Sequence, residues 1–255
     1  MNTPLTYSFG YSWFVAWGYA LPLGIFSGLA VVAWRRRWRP GLRALFGVLA
    51  LWSLGAIGVM QLALGINLPQ RIFVPQFLAS GEGAVLDVGA GSGRSTVGLL
   101  LARPRARVTA IDIYSGYYGI DDNTPERLMA NARIAGVAER VSVQVGDARA
   151  MPLATSTYDG VISSYAIDHI QRDGIPQALS EVARVLKPLG ELLLMLVNVD
   201  WWARFFSPAM AHHPGADPTL WHRRLVAAGF DVIEEGRRPL TLYYYARKGE
   251  SAATR

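Results

Sequence analysis

No charged residue occurs in the first 34 positions of this 255-residue chain. Residues 13–34 are a mostly apolar run of 22. As a helix they would span roughly 33 Å, enough to cross the hydrocarbon core of a bilayer. Tyr11, Trp13, Trp17, Trp34 and Trp38 mark the two ends of the run, rings suited to headgroup depth. A secretory signal would carry a basic leader and a shorter apolar stretch. Arg35-Arg36-Arg37-Trp38-Arg39-Pro40-Gly41 should end the helix. A second uncharged stretch, residues 44–70, is apolar around every face, with a helix expected over about 44–66. Gly24 and Gly28 in the first helix and Gly55 and Gly58 in the second would let the two backbones approach closely. Residues 1–70 are therefore expected to form a membrane-embedded helical hairpin, and residues 71–255 a separate domain.

The net charge of +6 belongs to the apolar segment. Every charged residue before Glu82 is an arginine, whereas from Glu82 onward 19 basic residues balance 19 acidic ones. Basic residues beside apolar stretches suit a membrane surface. A nucleic-acid partner would call for a basic folded domain instead, and none is expected. The chain has no Cys, which excludes disulfides, thiolate metal sites and a Cys nucleophile. His212-His213 with Asp217 is a weak metal-ligand pattern, and no metal is expected.

The domain begins with Val85-Leu86-Asp87-Val88-Gly89-Ala90-Gly91-Ser92-Gly93-Arg94-Ser95-Thr96, read as a buried strand, a glycine turn and the start of a helix. Glycines at alternate positions let the backbone bend and approach a ligand. A ligand across the turn would meet backbone N–H groups and the positive end of a helix. The dinucleotide fingerprint needs a third glycine where this chain has Arg94. Strand and helix segments alternate from there, as in a parallel sheet covered on both faces. Strands are expected at residues 107–113, 141–148, 158–164 and 191–197, helices at 72–78, 124–132 and 220–229, and a terminal antiparallel pair at 231–235 and 240–247. Asp112 closes the second strand 25 residues after Asp87, placed to accept from two ribose hydroxyls.

Four ordered motifs carry a resemblance over about residues 72–248: Asp87 with the glycine turn, Asp112, Gly146-Asp147, and Arg184-Val185-Leu186-Lys187-Pro188 before strand five. Together they resemble the class I S-adenosylmethionine (SAM) dependent methyltransferases. That resemblance implies an α/β doubly wound, Rossmann-like seven-stranded sheet and SAM as cofactor. It implies a cofactor site made by Asp87, Gly89, Ala90, Gly91, Gly93, Asp112, Ile113, Asp147, Ala148 and Ser163. In such a site Asp87 would sit near the methionine moiety and Asp147 would take the adenine amino group.

Groups for the chemistry should lie beyond the C-terminal strand ends. His169 is a candidate general base, its ordinary pKa being near neutrality, and Asp168 is a second candidate. Tyr165, Asp200, Trp201, His212 and His213 are candidates for contact with the acceptor. Three functions fit: methyl transfer to a small lipophilic acceptor such as a lipid, transfer to a soluble small molecule with the anchor serving location, and a SAM-binding module without catalysis. The expected setting is a bacterial inner membrane with the domain facing the cytoplasm, and the membrane helices offer a route to a homo-oligomer. Here two rules conflict. Five arginines at positions 35–43 favour a cytoplasmic loop, yet a cytoplasmic domain after two spans puts that loop outside. A second segment that does not cross would remove the conflict, and that solution is the one preferred on sequence.

Overall fold

The computed structural model describes residues 6–115, 123–206 and 215–249. The first apolar run is two helices, α1 (Trp13–Trp17) and α2 (Ala20–Arg35). Pro22 causes the break. It has no N–H to offer the Gly18 carbonyl, which accepts from Leu21 N instead (3.3 Å). The second run begins earlier than expected: Pro40 opens α3 (Pro40–Gly58) at a position where a missing N–H costs nothing, so only residues 36–39 link the helices. A π-turn, Val59–Ala63, ends α3.

The helices pack as an antiparallel hairpin through small residues, but not through the expected glycines. Ala33, Ser53 and Ala56 are fully buried. Gly24, Gly28 and Gly58 have nothing within 4 Å of where a Cβ would stand. Gly55 meets Phe206, a residue from the far end of the chain.

The remaining elements form one seven-stranded sheet with helices on both faces. In chain order they are β1 (Glu82–Val88), α4 (Arg94–Ala102), β2 (Arg105–Asp112), α5 (Pro125–Ile134), β3 (Val141–Val145), β4 (Tyr158–Ser164), α6 (Ile175–Val185), β5 (Leu186–Val197), α7 (Trp201–Phe206), α8 (Pro218–Ala227), β6 (Phe230–Arg238) and β7 (Thr241–Lys248). The strand order is β3-β2-β1-β4-β5-β7-β6, with β7 antiparallel to both neighbours. Alternate residues feed two cores. Leu86, Val161, Leu192, Leu194 and Tyr244 pack toward one face. Val85, Ile162, Leu193, Met195 and Tyr245 pack toward the other.

Residues 72–78 are not the expected helix. The segment before Pro75 has no regular secondary structure, and turns follow. Its carbonyls are used from outside, because the Arg103 guanidinium donates to those of Val74, Pro75 and Phe77. A short helix, α7, stands where only loop was expected after strand five. It packs on the hairpin, with Trp52 Nε1 donating to the Phe205 carbonyl (2.9 Å).

Candidate cofactor and acceptor site

The strand order reverses beside β1, and a cavity of about 1050 Å³ lies beyond the C-terminal ends of β1, β2 and β4. One wall is the glycine turn. Gly89 stands at φ 74° and Gly91 at φ 53°, a backbone region that disfavours side chains. A Cβ on Gly89 would also come within 2.1 Å of Ala166 Cβ. The Gly89 and Ala90 N–H groups both donate to the Ile111 carbonyl (2.8 and 3.2 Å), which binds the turn to the tip of β2.

Asp112 stands at that tip and faces the cavity. Its Oδ2 accepts from Gly91 N (2.9 Å) and its Oδ1 from Tyr114 N (2.7 Å), so the carboxylate is fixed in place while each oxygen keeps a further lone pair. Ile113, Ala148 and Asp147 line the neighbouring part. Asp147 is held by Arg149 through both carboxylate oxygens (2.6–3.0 Å), and the guanidinium keeps its carboxyl below the usual carboxylate range.

Three residues expected at the cofactor lie behind the wall instead. Asp87 is fully buried and does not line the cavity. The Ser95 and Thr96 hydroxyls donate to its Oδ2 (2.7 and 2.6 Å), which clamps the start of α4 to β1. Burial pushes its carboxyl up to about 6 against those two bonds, and its Oδ1 has no protein partner. Ser163 donates to the Val88 carbonyl (2.9 Å) and serves the β1–β4 contact. Gly93, at φ 85°, is the left-handed residue that starts α4, packed against Leu128.

On the side facing β4, Tyr165 takes φ 55° and lines the cavity, with its hydroxyl paired to Thr241 Oγ1 (2.6 Å). His169 also lines it. Asp168 does not: its Oδ2 accepts from Val197 N (2.7 Å), and its Oδ1 meets His169 Nδ1 (3.1 Å). Burial opposes the imidazolium of His169. The Asp168 carboxylate, with help from the Tyr165 backbone, outweighs that and leaves the pKa above the ordinary histidine value. Asp200 and Trp201 stay outside the cavity. Asp200 accepts from Asn198 Nδ2 (3.0 Å), and Trp201 lies 79% exposed on α7, the helix drawn off toward the hairpin. His212 and His213 lie outside the described residues.

The roof of the cavity was not foreseen. It is built by Phe9, Tyr11, Phe14 and Val15 from the start of the chain and by Met60, Leu64 and Ile66 from the end of the hairpin. Ser8 anchors the first group to α5. Its N–H donates to Asn131 Oδ1 (2.9 Å), its carbonyl accepts from Asn131 Nδ2 (2.8 Å), and Arg127 reaches its hydroxyl (2.7 Å). Arg94 anchors the second. Its guanidinium donates to the carbonyls of Leu64, Gly65 (3.2 Å) and Leu68 (3.0 Å), which follow the π-turn. The one sequence signal was Arg94 itself, a cation placed where a dinucleotide fold has glycine.

At about 1050 Å³ the cavity stands at the upper end of the roughly 300–1,000 Å³ usual for a small-molecule site. Two carboxylates at successive strand tips, apolar Ile113 and Ala148 between them, and a glycine turn without Cβ atoms fit a nucleoside cofactor with space to spare.

The fold is a Rossmann-like doubly wound sheet with its cavity at the switch point, and the comparisons with known proteins point to methyltransferases. Residues 85–190 match the methyltransferase domain family. The ubiquinone/menaquinone biosynthesis C-methyltransferase UbiE of Syntrophotalea carbinolica is 30% identical over 135 residues, 52% of this chain and 52% of that protein. The malonyl-[acyl-carrier protein] O-methyltransferase of Methylococcus capsulatus is 35% identical over 108 residues, 42% of this chain and 35% of the relative. A SAM-dependent methyltransferase structure from Methanosarcina mazei superposes with a TM-score of 0.55 at 20% identity, covering 71% of this chain and 99% of that one. The chain spans about half the length of the first curated relatives it matches. The likeness to methyltransferases is thus carried by the family match over residues 85–190 and by the shared fold.

Proposed function

We propose that this protein is a membrane-anchored enzyme that transfers a methyl group from SAM to a small lipophilic acceptor, with the apolar helices within residues 13–63 in the bilayer and residues 71–255 as a cytoplasmic methyltransferase domain. One observation carries the reading: two long apolar stretches are largely left unburied, yet they join the wall of the cavity. The windows within residues 13–35 and 40–63 are only 6% and 22% buried. A soluble core helix would be mostly covered, and so large an apolar surface left in water is not tolerated by soluble monomers. Counted through the break after Trp17 and through the π-turn, the two apolar stretches hold 23 and 24 residues, which favours both crossing, with the arginine turn on the side opposite the domain. Quinone and acyl-carrier methyltransferases among the relatives are consistent with a small acceptor carrying an apolar part.

In this reading Asp112 holds the ribose hydroxyls, Asp147 and the Ala148 backbone hold the adenine, and the glycine turn receives the rest of the cofactor. The cofactor supplies a methyl group already activated on a sulfonium, so the protein's part is orientation and exclusion of water. His169, held by Asp168, takes the acceptor's proton. His169→Ala should lower turnover while SAM affinity stays within a few fold. Because the pKa of His169 is raised, the acid limb of the wild-type pH–rate profile should fall above the ordinary histidine value, and the variant should lose that limb. Normal turnover in the variant would leave the ring only a structural part.

Orientation is tested with single cysteines, since the chain has none of its own. With an impermeant thiol reagent on intact cells, Arg37→Cys should label and Ala154→Cys should not. Labelling at Ala154→Cys would overturn the cytoplasmic domain. An unlabelled Arg37→Cys would restore the non-crossing segment.

A further inference from the structure

The cavity has two differently lined ends. Its charged residues, Asp112, Asp147, Arg149, Arg94 and His169, all belong to the domain. The hairpin contributes none: its part of the wall is apolar or aromatic, including Phe14, Val15, Leu21, Met60 and Leu64. Ile113, Arg149 and Gln171 line the cavity and are exposed on the domain, marking a mouth toward water. Phe14 and Leu21 also line it, yet they are 74% and 56% exposed on the first apolar helix pair. The cavity wall therefore reaches the outer face of that helix pair, a surface that lipid would touch in the reading above.

We infer that the hairpin builds the acceptor subsite itself, and that an amphiphile with a single reactive head and an apolar tail enters it sideways from the bilayer between Phe14 and Leu21. The inference rests on the lipophilic acceptor proposed above. The head would lie near His169 and the glycine turn, and the tail along Met60 and Leu64. Three features make this wall a built part of the site. The π-turn, Val59–Ala63, carries Met60 into the cavity, and such turns concentrate at functional positions. Gln61 Nε2 donates to the Ala16 carbonyl (2.7 Å) and ties the two sides of the wall together beside the break in the first helix. Arg94 fastens the end of the hairpin to the first turn of α4, the helix that follows the glycine turn. Irregular backbone at membrane depth is tolerated where it is buried in protein or lines a cavity, as it does here.

The test uses full-length protein reconstituted with total lipid extract of the host membrane and methyl-labelled SAM. Leu21→Trp fills the lipid-side end. Ile25→Trp makes the same change one turn further on, where the side chain is exposed but outside the cavity. Leu21→Trp should cut label in the lipid-soluble product at least about tenfold, as overpacking of a ligand path does. Ile25→Trp should match wild type, and calorimetric SAM affinity should stay within about twofold in both. Wild-type transfer by Leu21→Trp, equal losses in the two variants, or loss of SAM binding by Leu21→Trp would each overturn the inference. If wild-type protein labels only water-soluble product, the lipophilic acceptor fails first, and the sideways route fails with it.

Discussion

Asp112→Ala is expected to weaken SAM binding at least about tenfold, because hydrogen bonds to a charged group are worth roughly 1.5–3 kcal/mol each and a ribose offers two donors. The structure adds a second loss. The same carboxylate accepts from the N–H groups of Gly91 and Tyr114, so its removal strips the glycine turn of a fixed partner as well. Asp112→Asn separates the two effects. It keeps one acceptor and loses the charge, and should fall between wild type and alanine. Calorimetry on full-length protein reads both variants. Unchanged affinity in Asp112→Ala would remove Asp112 from the cofactor site.

Gly98→Ala should destabilise the protein by about 3 kcal/mol, the upper end for overpacking. Gly98 lies inside α4, where alanine would ordinarily gain about 1 kcal/mol in helix propensity. The clash reverses that sign. A Cβ at Gly98 would stand 1.9 Å from the Gln70 carbonyl oxygen and 2.9 Å from Gln70 N, backbone atoms that no rotamer change can move. Gln70 N also donates to the Arg94 carbonyl (3.0 Å), so the chain leaving the hairpin lies directly on α4. The expected result is a markedly lower thermal midpoint and a loosened roof over the cavity. Gly47→Ala is the control: it is also helical, with nothing within 4 Å, and should be neutral or slightly stabilising. A Gly98→Ala protein as stable as wild type would contradict the docking of residues 68–70 on α4.

What could be read in the sequence was local. Thr124-Pro125 marked the start of α5, and the Thr124 hydroxyl accepts from Arg127 N as a capping residue should (3.3 Å). The glycine turn, the carboxylate ending β2 and the terminal antiparallel pair all lie where short-range pattern put them. Misreadings occurred where one residue type serves two geometries. Arg35–Gly41 does end the first helix, but Pro40 also starts the second, four residues before the expected Ala44. Gly24 and Gly28 looked like a packing face and stand uncovered. Asp87, Gly93 and Ser163 sit within a residue or two of the cavity wall, but the strand alternation that buries Leu86 and Ile162 does not reveal which polar atoms turn behind it. The roof was out of reach altogether. Ser8 meets Asn131 across 123 residues of chain and Arg94 meets Leu64 across 30, and no periodicity encodes such contacts. The uncharged N-terminal run was legible as apolar helices, but not as part of the cavity wall.

Transfer from SAM to a lipophilic molecule at the membrane can be measured directly. The measurement incubates native membranes containing the full-length protein with methyl-labelled SAM, extracts the lipids and weighs the labelled product. The account predicts label in an organic-soluble small molecule one methyl group heavier than its precursor, absent from membranes lacking the protein and strongly reduced with Asp112→Ala. Label found only in water-soluble compounds, or tight SAM binding with no transfer to any fraction, would contradict it.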